Sequence, residues 1–184
     1  MALTETPVCN FGEKAKNFNL LSTENKKLSL NDIKGKNGTL IMFICNHCPY
    51  VKAVIKDIVQ DVKYFETIGI KSVAIMSNDV KNYPEDSFEN MIAFSKLHNF
   101  SFPYLIDISQ EVAKKFGAVC TPDFFGYNKN LELQYRGRIR KLKDLKAVQK
   151  GDSDLNIAMK LIASTGKGPE NQTPSMGCNI KWFK

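Results

Sequence analysis

The chain has 184 residues, 43% of them hydrophobic and 24% charged, which is long enough to bury a core without disulfide staples and most simply forms one domain over residues 1–184. Its 26 Lys and Arg against 19 Asp and Glu give a formal charge of +7, but only Arg136, Arg138 and Arg140 are arginines and the lysines are scattered. That distribution reads as a solvated surface, so no nucleic-acid partner is expected, and only the basic run "RGRIRKLK" (136–143) leaves room for an acidic substrate or partner.

Residues 1–16 are a polar N-terminal segment without a basic stretch followed by an apolar one, so no secretory signal is expected; they carry Cys9, to which no role attaches. The stretch 17–30 predicts a hairpin, because two short apolar runs flank the turn formers Thr23, Glu24 and Asn25. "TLIMFIC" (39–45) is an unbroken apolar run of strand length, as a central strand covered on both faces requires. From Pro49 the period changes: Val51, Val54, Ile55, Ile58, Val59, Val62 and Phe65 recur at helical spacing, and the helix ends near Gly69.

A second buried strand is predicted over 70–77, then a loop, a helix over 85–98 with His98 on its surface, and a strand over 102–108. A short helix over 109–117 follows, with Ser109 as N-cap and Gly117 as its stop. "PDFFGY" and "LELQYRGR" predict a hairpin turning at Asn128, Lys129 and Asn130, and the last helix spans 153–165. The tail, 166–184, has no periodicity. No run is long enough to span a bilayer, so no membrane partner is expected. Five cysteines, an odd number, argue for free thiols in a reducing compartment, and the expected location is the cytoplasm.

The chemistry concentrates in "FICNHCPYVK". Cys48 stands between a buried strand and an amphipathic helix, with Pro49 in the position where proline is favoured because its missing N–H costs nothing. Cys48 is therefore the predicted N-cap. Free backbone N–H groups and the helix dipole favour its thiolate, and His47 beside it adds to this when charged. Cys45, at the end of the strand, is near enough in sequence to bridge to it. Three readings stay open here: a redox pair, which the helix-start position favours; a metal site of Cys45, His47 and Cys48 with Cys120 as fourth ligand; and two inert core cysteines. The acidic and amide residues of "SNDVKNYPEDS" (77–87) either contact the site or simply make turns and caps.

With "FICNHCPYVK", "SNDVKNYPEDS", "CTPDFF", "YRGR" and "PSMGCNIKW", the chain resembles the thioredoxin-like superfamily over almost its whole length, most closely its peroxiredoxin-like, AhpC/TSA-related branch. The resemblance implies an α/β, three-layer thioredoxin-like fold with a mixed central sheet, an N-terminal β-hairpin and a non-periodic tail. It implies an oxidoreductase with no cofactor and no metal, acting on a disulfide or hydroperoxide and recharged by a thiol reductant such as thioredoxin or glutathione. Cys48 takes the place of the thioredoxin nucleophile, although here it is the second cysteine of the pair and Val51 holds its usual partner's place. Pro122 takes the place of the proline that follows a cis bond, which would present the Thr121 backbone to substrate and bring Cys120 near Cys48. Pro49, His47, Thr121 and Pro122 would then border the substrate.

In peroxiredoxins a threonine stands three residues before the reactive cysteine and a distant arginine polarises the peroxide. Here Cys45 holds the threonine's place, with Arg136, Arg138 or Arg140 as the arginine. This departure favours dithiol exchange, in which Cys48 attacks and Cys45 or Cys120 resolves. The alternatives are a hydroperoxide reductase and a non-enzymatic metal-binding or redox-sensing module. Cys178 either docks the tail onto the body, the favoured reading, or resolves Cys48 from a distance.

Overall fold

The computed structural model describes residues 3–183. In chain order the strands and helices are β1 (Leu3–Glu5), β2 (Asn19–Ser22), β3 (Lys27–Ser29), β4 (Gly38–Phe43), α1 (Pro49–Thr67), β5 (Ile70–Met76), α2 (Phe88–Leu97), β6 (Tyr104–Ile106), α3 (Glu111–Phe116) and β7 (Cys120–Thr121). They continue with β8 (Asp123–Asn128), β9 (Leu133–Tyr135), β10 (Leu142–Lys143), β11 (Lys146–Ala147), α4 (Asp154–Thr165) and β12 (Met176–Asn179). Seven strands form the central sheet in the order β3-β2-β6-β5-β4-β8-β9. Strands β4, β5 and β6 run parallel, while β2 and β8 are antiparallel to their neighbours, so the sheet is mixed as expected.

β4 is buried along its entire length, which is what its uninterrupted apolar run requires. Its side chains alternate: Leu40 and Met42 join the core beneath α1, α2 and α4, whereas Ile41 and Phe43 join a second core with Val112, Ala113 and Phe116 of α3. Helices on both faces make the three layers. On α1 the buried set Val51, Val54, Ile55, Ile58, Val62 and Phe65 is the helical stripe read from the sequence, except that Val59 is only partly buried. The helix stops at Gly69, whose φ of 79° is in the left-handed region where a β-carbon is costly.

Several elements differ from expectation. β4 ends at Phe43, so Cys45 lies in the loop beyond it: the Ile44 N–H still bonds Ile75 O (3.1 Å), but the Asn46 N–H turns away to Asp86 Oδ1 (2.8 Å). The helix predicted over 85–98 is divided. Pro84–Asp86 form a 3-10 turn that aims Asp86 inward, and Ser87 then caps α2, its hydroxyl accepting from the Asn90 N–H (3.3 Å). β6 is only the middle of the predicted strand. Ser109 is not the N-cap of α3; Gln110 is, in a left-handed conformation (φ 62°), with its side chain committed to Ser77 O and Lys181 O (2.8 Å each). The basic run 136–143 enters a small β10–β11 hairpin that turns at Asp144 and Leu145.

The non-periodic tail contributes one strand that its sequence does not announce, β12, the middle strand of a second small sheet ordered β1-β12-β7. Cys178 is in register with Thr121 on one side and Leu3 on the other. Gly177 permits this contact, because a β-carbon there would lie 2.0 Å from Thr121 O.

Candidate active site

Cys48 is the N-cap of α1 and Pro49 its first residue, as read from the sequence. The Thr121–Pro122 peptide bond is cis. β7 lies against the cysteine loop: Cys48 Sγ is 3.2 Å from Thr121 O, and Cys45 Sγ lies 3.4 Å from the Thr121 hydroxyl. Cys45, Cys48, Cys120 and Cys178 are all buried, Cys48 completely so at 0% exposure.

The Cys48 pKa is lowered to about 5, above all because the Cys45 thiol donates a hydrogen bond to its thiolate. Burial opposes this, while the Cys178 thiol, the Val51 N–H and the Thr121 side chain assist. The expected helix effect is thus present, through the Val51 N–H of the first turn, but smaller than the Cys45 contribution. The same contact pushes Cys45 well above the ordinary thiol range, with burial adding to it. Burial, then the Cys48 thiolate, push Cys178 up to about 12. One thiolate therefore sits between two thiols that keep their protons.

The loop between β4 and α1 is held by Asp86, which is 0% exposed. Its carboxylate accepts from the Asn46 N–H (2.8 Å), the His47 N–H (3.3 Å) and Asn78 Nδ2 (2.8 Å), and pairs with His47 Nδ1 (2.7 Å). That pairing raises the His47 pKa, burial lowers it, and Asp86 and Cys48 charges both favour the imidazolium. Asn46 is tied in turn to the Tyr104 hydroxyl (3.0 Å). The sequence marked 77–87 as a loop near the site; that Asp86 alone carries the positioning depends on its inward turn, which nothing local in the sequence declares.

Of the other predicted residues, Cys120 is buried beside the cis bond with its thiol 3.7 Å from Pro122 O, and burial pushes its pKa far up. The three arginines serve elsewhere. Arg136 pairs with Asp123 (2.9 Å) and donates to Gly117 O (2.7 Å); Arg138 pairs with Asp154 (2.7 Å) and Arg140 with Asp57 (3.2 Å). The alternative metal set of Cys45, His47, Cys48 and Cys120 is not assembled: the donors of Cys45, His47 and Asp86 come within 4.8 Å of one another, but neither Cys48 nor Cys120 joins them among the described residues. With the Asp86 carboxylate already accepting four hydrogen bonds, that group is a hydrogen-bond network. Beside the site, Tyr50, Val54, Pro122, Ile139 and Ser175 border a cleft of about 370 Å³.

Residues 11–142 match the family profile described as the AhpC/TSA family. The chain belongs to the AhpC/TSA family. Within reach of that family assignment, the chain is 26% identical over 117 residues to the thiol-disulfide oxidoreductase ResA of Bacillus subtilis (strain 168), a match covering 64% of this chain and 61% of that protein. An uncharacterized conserved protein from Geobacillus kaustophilus has a crystal structure similar over 100% of this chain and 97% of its own, with a TM-score of 0.94 and 38% identity. The thioredoxin domain of a thiol-disulfide oxidoreductase from Bacteroides vulgatus gives a TM-score of 0.59 at 13% identity over 68% of this chain and 86% of that one, a likeness of fold. This AhpC/TSA chain therefore has the thioredoxin-like fold that its motifs suggest.

Proposed function

We propose that the protein is a thiol-disulfide oxidoreductase in which the Cys48 thiolate attacks a substrate disulfide and Cys45 resolves the mixed disulfide. The observation that carries this reading is the gathering of both sulfurs on Thr121 at the start of α1, Cys48 Sγ 3.2 Å from Thr121 O and Cys45 Sγ 3.4 Å from the Thr121 hydroxyl, an arrangement in which the neighbouring thiol lowers the Cys48 pKa to about 5. A thiolate attacks sulfur where a thiol does not. Once Cys48 is bonded to substrate its charge is gone, and the hydrogen bond that held the Cys45 proton goes with it. Cys45 can then ionise, attack Cys48 and release the substrate's second thiol, leaving a Cys45–Cys48 disulfide for a thiol reductant such as thioredoxin or glutathione to open.

His47 is assigned to return a proton to departing thiolates, because its contact with Asp86 raises its pKa and the Cys48 charge also favours the imidazolium. Disulfide substrates are favoured over hydroperoxides because Cys45 holds the place of the peroxiredoxin threonine; each of Arg136, Arg138 and Arg140 is paired with a carboxylate, Arg138 and Arg140 while lining the cleft beside the site. Five free thiols support work in a reducing compartment such as the cytoplasm.

The test is reduction of insulin disulfides by the full chain with dithiothreitol as electron source. The wild type should accelerate precipitation, Cys48→Ser should not, and Cys45→Ser should stall as a mixed disulfide visible by mass. Equal activity of Cys48→Ser and wild type would end this reading.

A further inference from the structure

The strand position beside the active-site cysteine is already filled by the chain itself. Thr121 O lies 3.2 Å from Cys48 Sγ, and the residue in register with Thr121 on the adjoining strand is Cys178. Cys178 is 3% exposed and packs in the same buried cluster as Cys45 and Cys48. A glycine at 177 lets the strand approach this closely. Both flanks of β12 are anchored: the Ser175 hydroxyl donates to Pro122 O (2.7 Å), and Gln110 holds Lys181 O and the Phe183 N–H (2.8 Å each). Yet β12 meets β7 over only two residue pairs, in a sheet separate from the central one. Such a strand opens more readily than the core, and because Cys48 is fully covered, a substrate can reach it only when part of its cover moves.

We propose that Cys178 is a third working thiol of this site, exchanging with the Cys45–Cys48 disulfide to form a Cys48–Cys178 bridge that fastens β12 over the active-site cysteine. The inference rests on the reaction proposed above, which supplies the starting disulfide. The Cys178 thiolate attacks the Cys48 sulfur; the Cys48–Cys178 bond forms as the Cys45–Cys48 bond breaks. The electron pair leaves on Cys45, which takes up the proton that Cys178 gave up. No net oxidation occurs, and the two oxidising equivalents remain within the three cysteines. The reduced site can lift β12 and admit substrate; the bridged site is closed until a reductant opens it.

The test oxidises the full chain and its Cys45→Ser and Cys178→Ser variants with excess oxidised dithiothreitol, followed by acid quench, alkylation and peptide mapping. Hydrogen exchange of residues 176–179 is followed in parallel. The wild type should show both Cys45–Cys48 and Cys48–Cys178 bridges, Cys45→Ser only the latter and Cys178→Ser only the former. Exchange in β12 should slow at least tenfold on oxidation of the wild type but not of Cys178→Ser. A Cys45–Cys48 bridge alone in the wild type, with no Cys48–Cys178 bridge in Cys45→Ser, overturns the proposal and leaves the oxidoreductase reading standing. Absence of any bridge to Cys48 in all three proteins overturns both.

Discussion

A cysteine sealed from solvent is ordinarily inert, because burial without a partner favours the neutral thiol. Cys48 escapes that outcome through donors aimed at its sulfur, the Cys45 thiol first among them. Its alkylation by iodoacetamide should therefore titrate near pH 5, falling about tenfold per pH unit below that value as the thiolate is lost. In Cys45→Ser the inflection should move upward, since the largest stabilising contact is weakened; an unchanged profile would return the leading role to the helix amides. His47 gives the opposite sign. Its pKa is raised from 6.5, so its pairing with Asp86 contributes stability below pH 6.5 and loses it as pH rises through the raised value. Asp86→Asn removes the largest cause of the raised pKa while burial still lowers it, so the His47 ring resonances in NMR should titrate at lower pH in the variant than in the wild type.

Among elements, the helices and hairpins with strong local signals stand where the pattern places them: the stripe on α1, Ser153 at the start of α4, and the 19–29 hairpin. Ser153 also serves a distant partner. Its hydroxyl accepts from the Asn156 N–H (2.8 Å) and donates to buried Asp61 on α1, so Ser153→Ala removes a cap and leaves a carboxylate short of a donor. A loss of about 1–3 kcal/mol is expected in urea unfolding. The elements that depart from the pattern do so where a tertiary partner outbids local preference. Gln110 leaves the helix to bind the tail, and Asp86 breaks a predicted helix to hold the cysteine loop. The β12 strand has no alternating pattern because it lies in a small sheet between two other strands, Met176 exposed and Gly177 and Cys178 buried.

Across the whole molecule, the two cores on either side of the sheet are tied by buried polar groups as well as by apolar contact. Asp123 and Arg136 form such a pair on the face opposite α1, with the guanidinium 4.4 Å from the Phe125 ring centroid. Burial raises the Asp123 pKa to about 6 against the pull of Arg136. Asp123→Asn leaves a buried cation without its counter-charge and should cost about 3–5 kcal/mol in urea denaturation, with Cys48 reactivity unchanged if the two faces are independent. The sequence by itself determined the layer order, the amphipathic faces and the helix start that carries Cys48, because each follows from periodicity and capping within a few neighbouring residues. Only the tertiary structure decided which sulfurs gather at the site: Cys45 and Cys48 both meet Thr121, the Cys120 thiol meets Pro122 O, and Cys178 arrives from 130 positions along the chain. Contacts of that kind depend on strand order and register across separate elements, which no local spacing encodes.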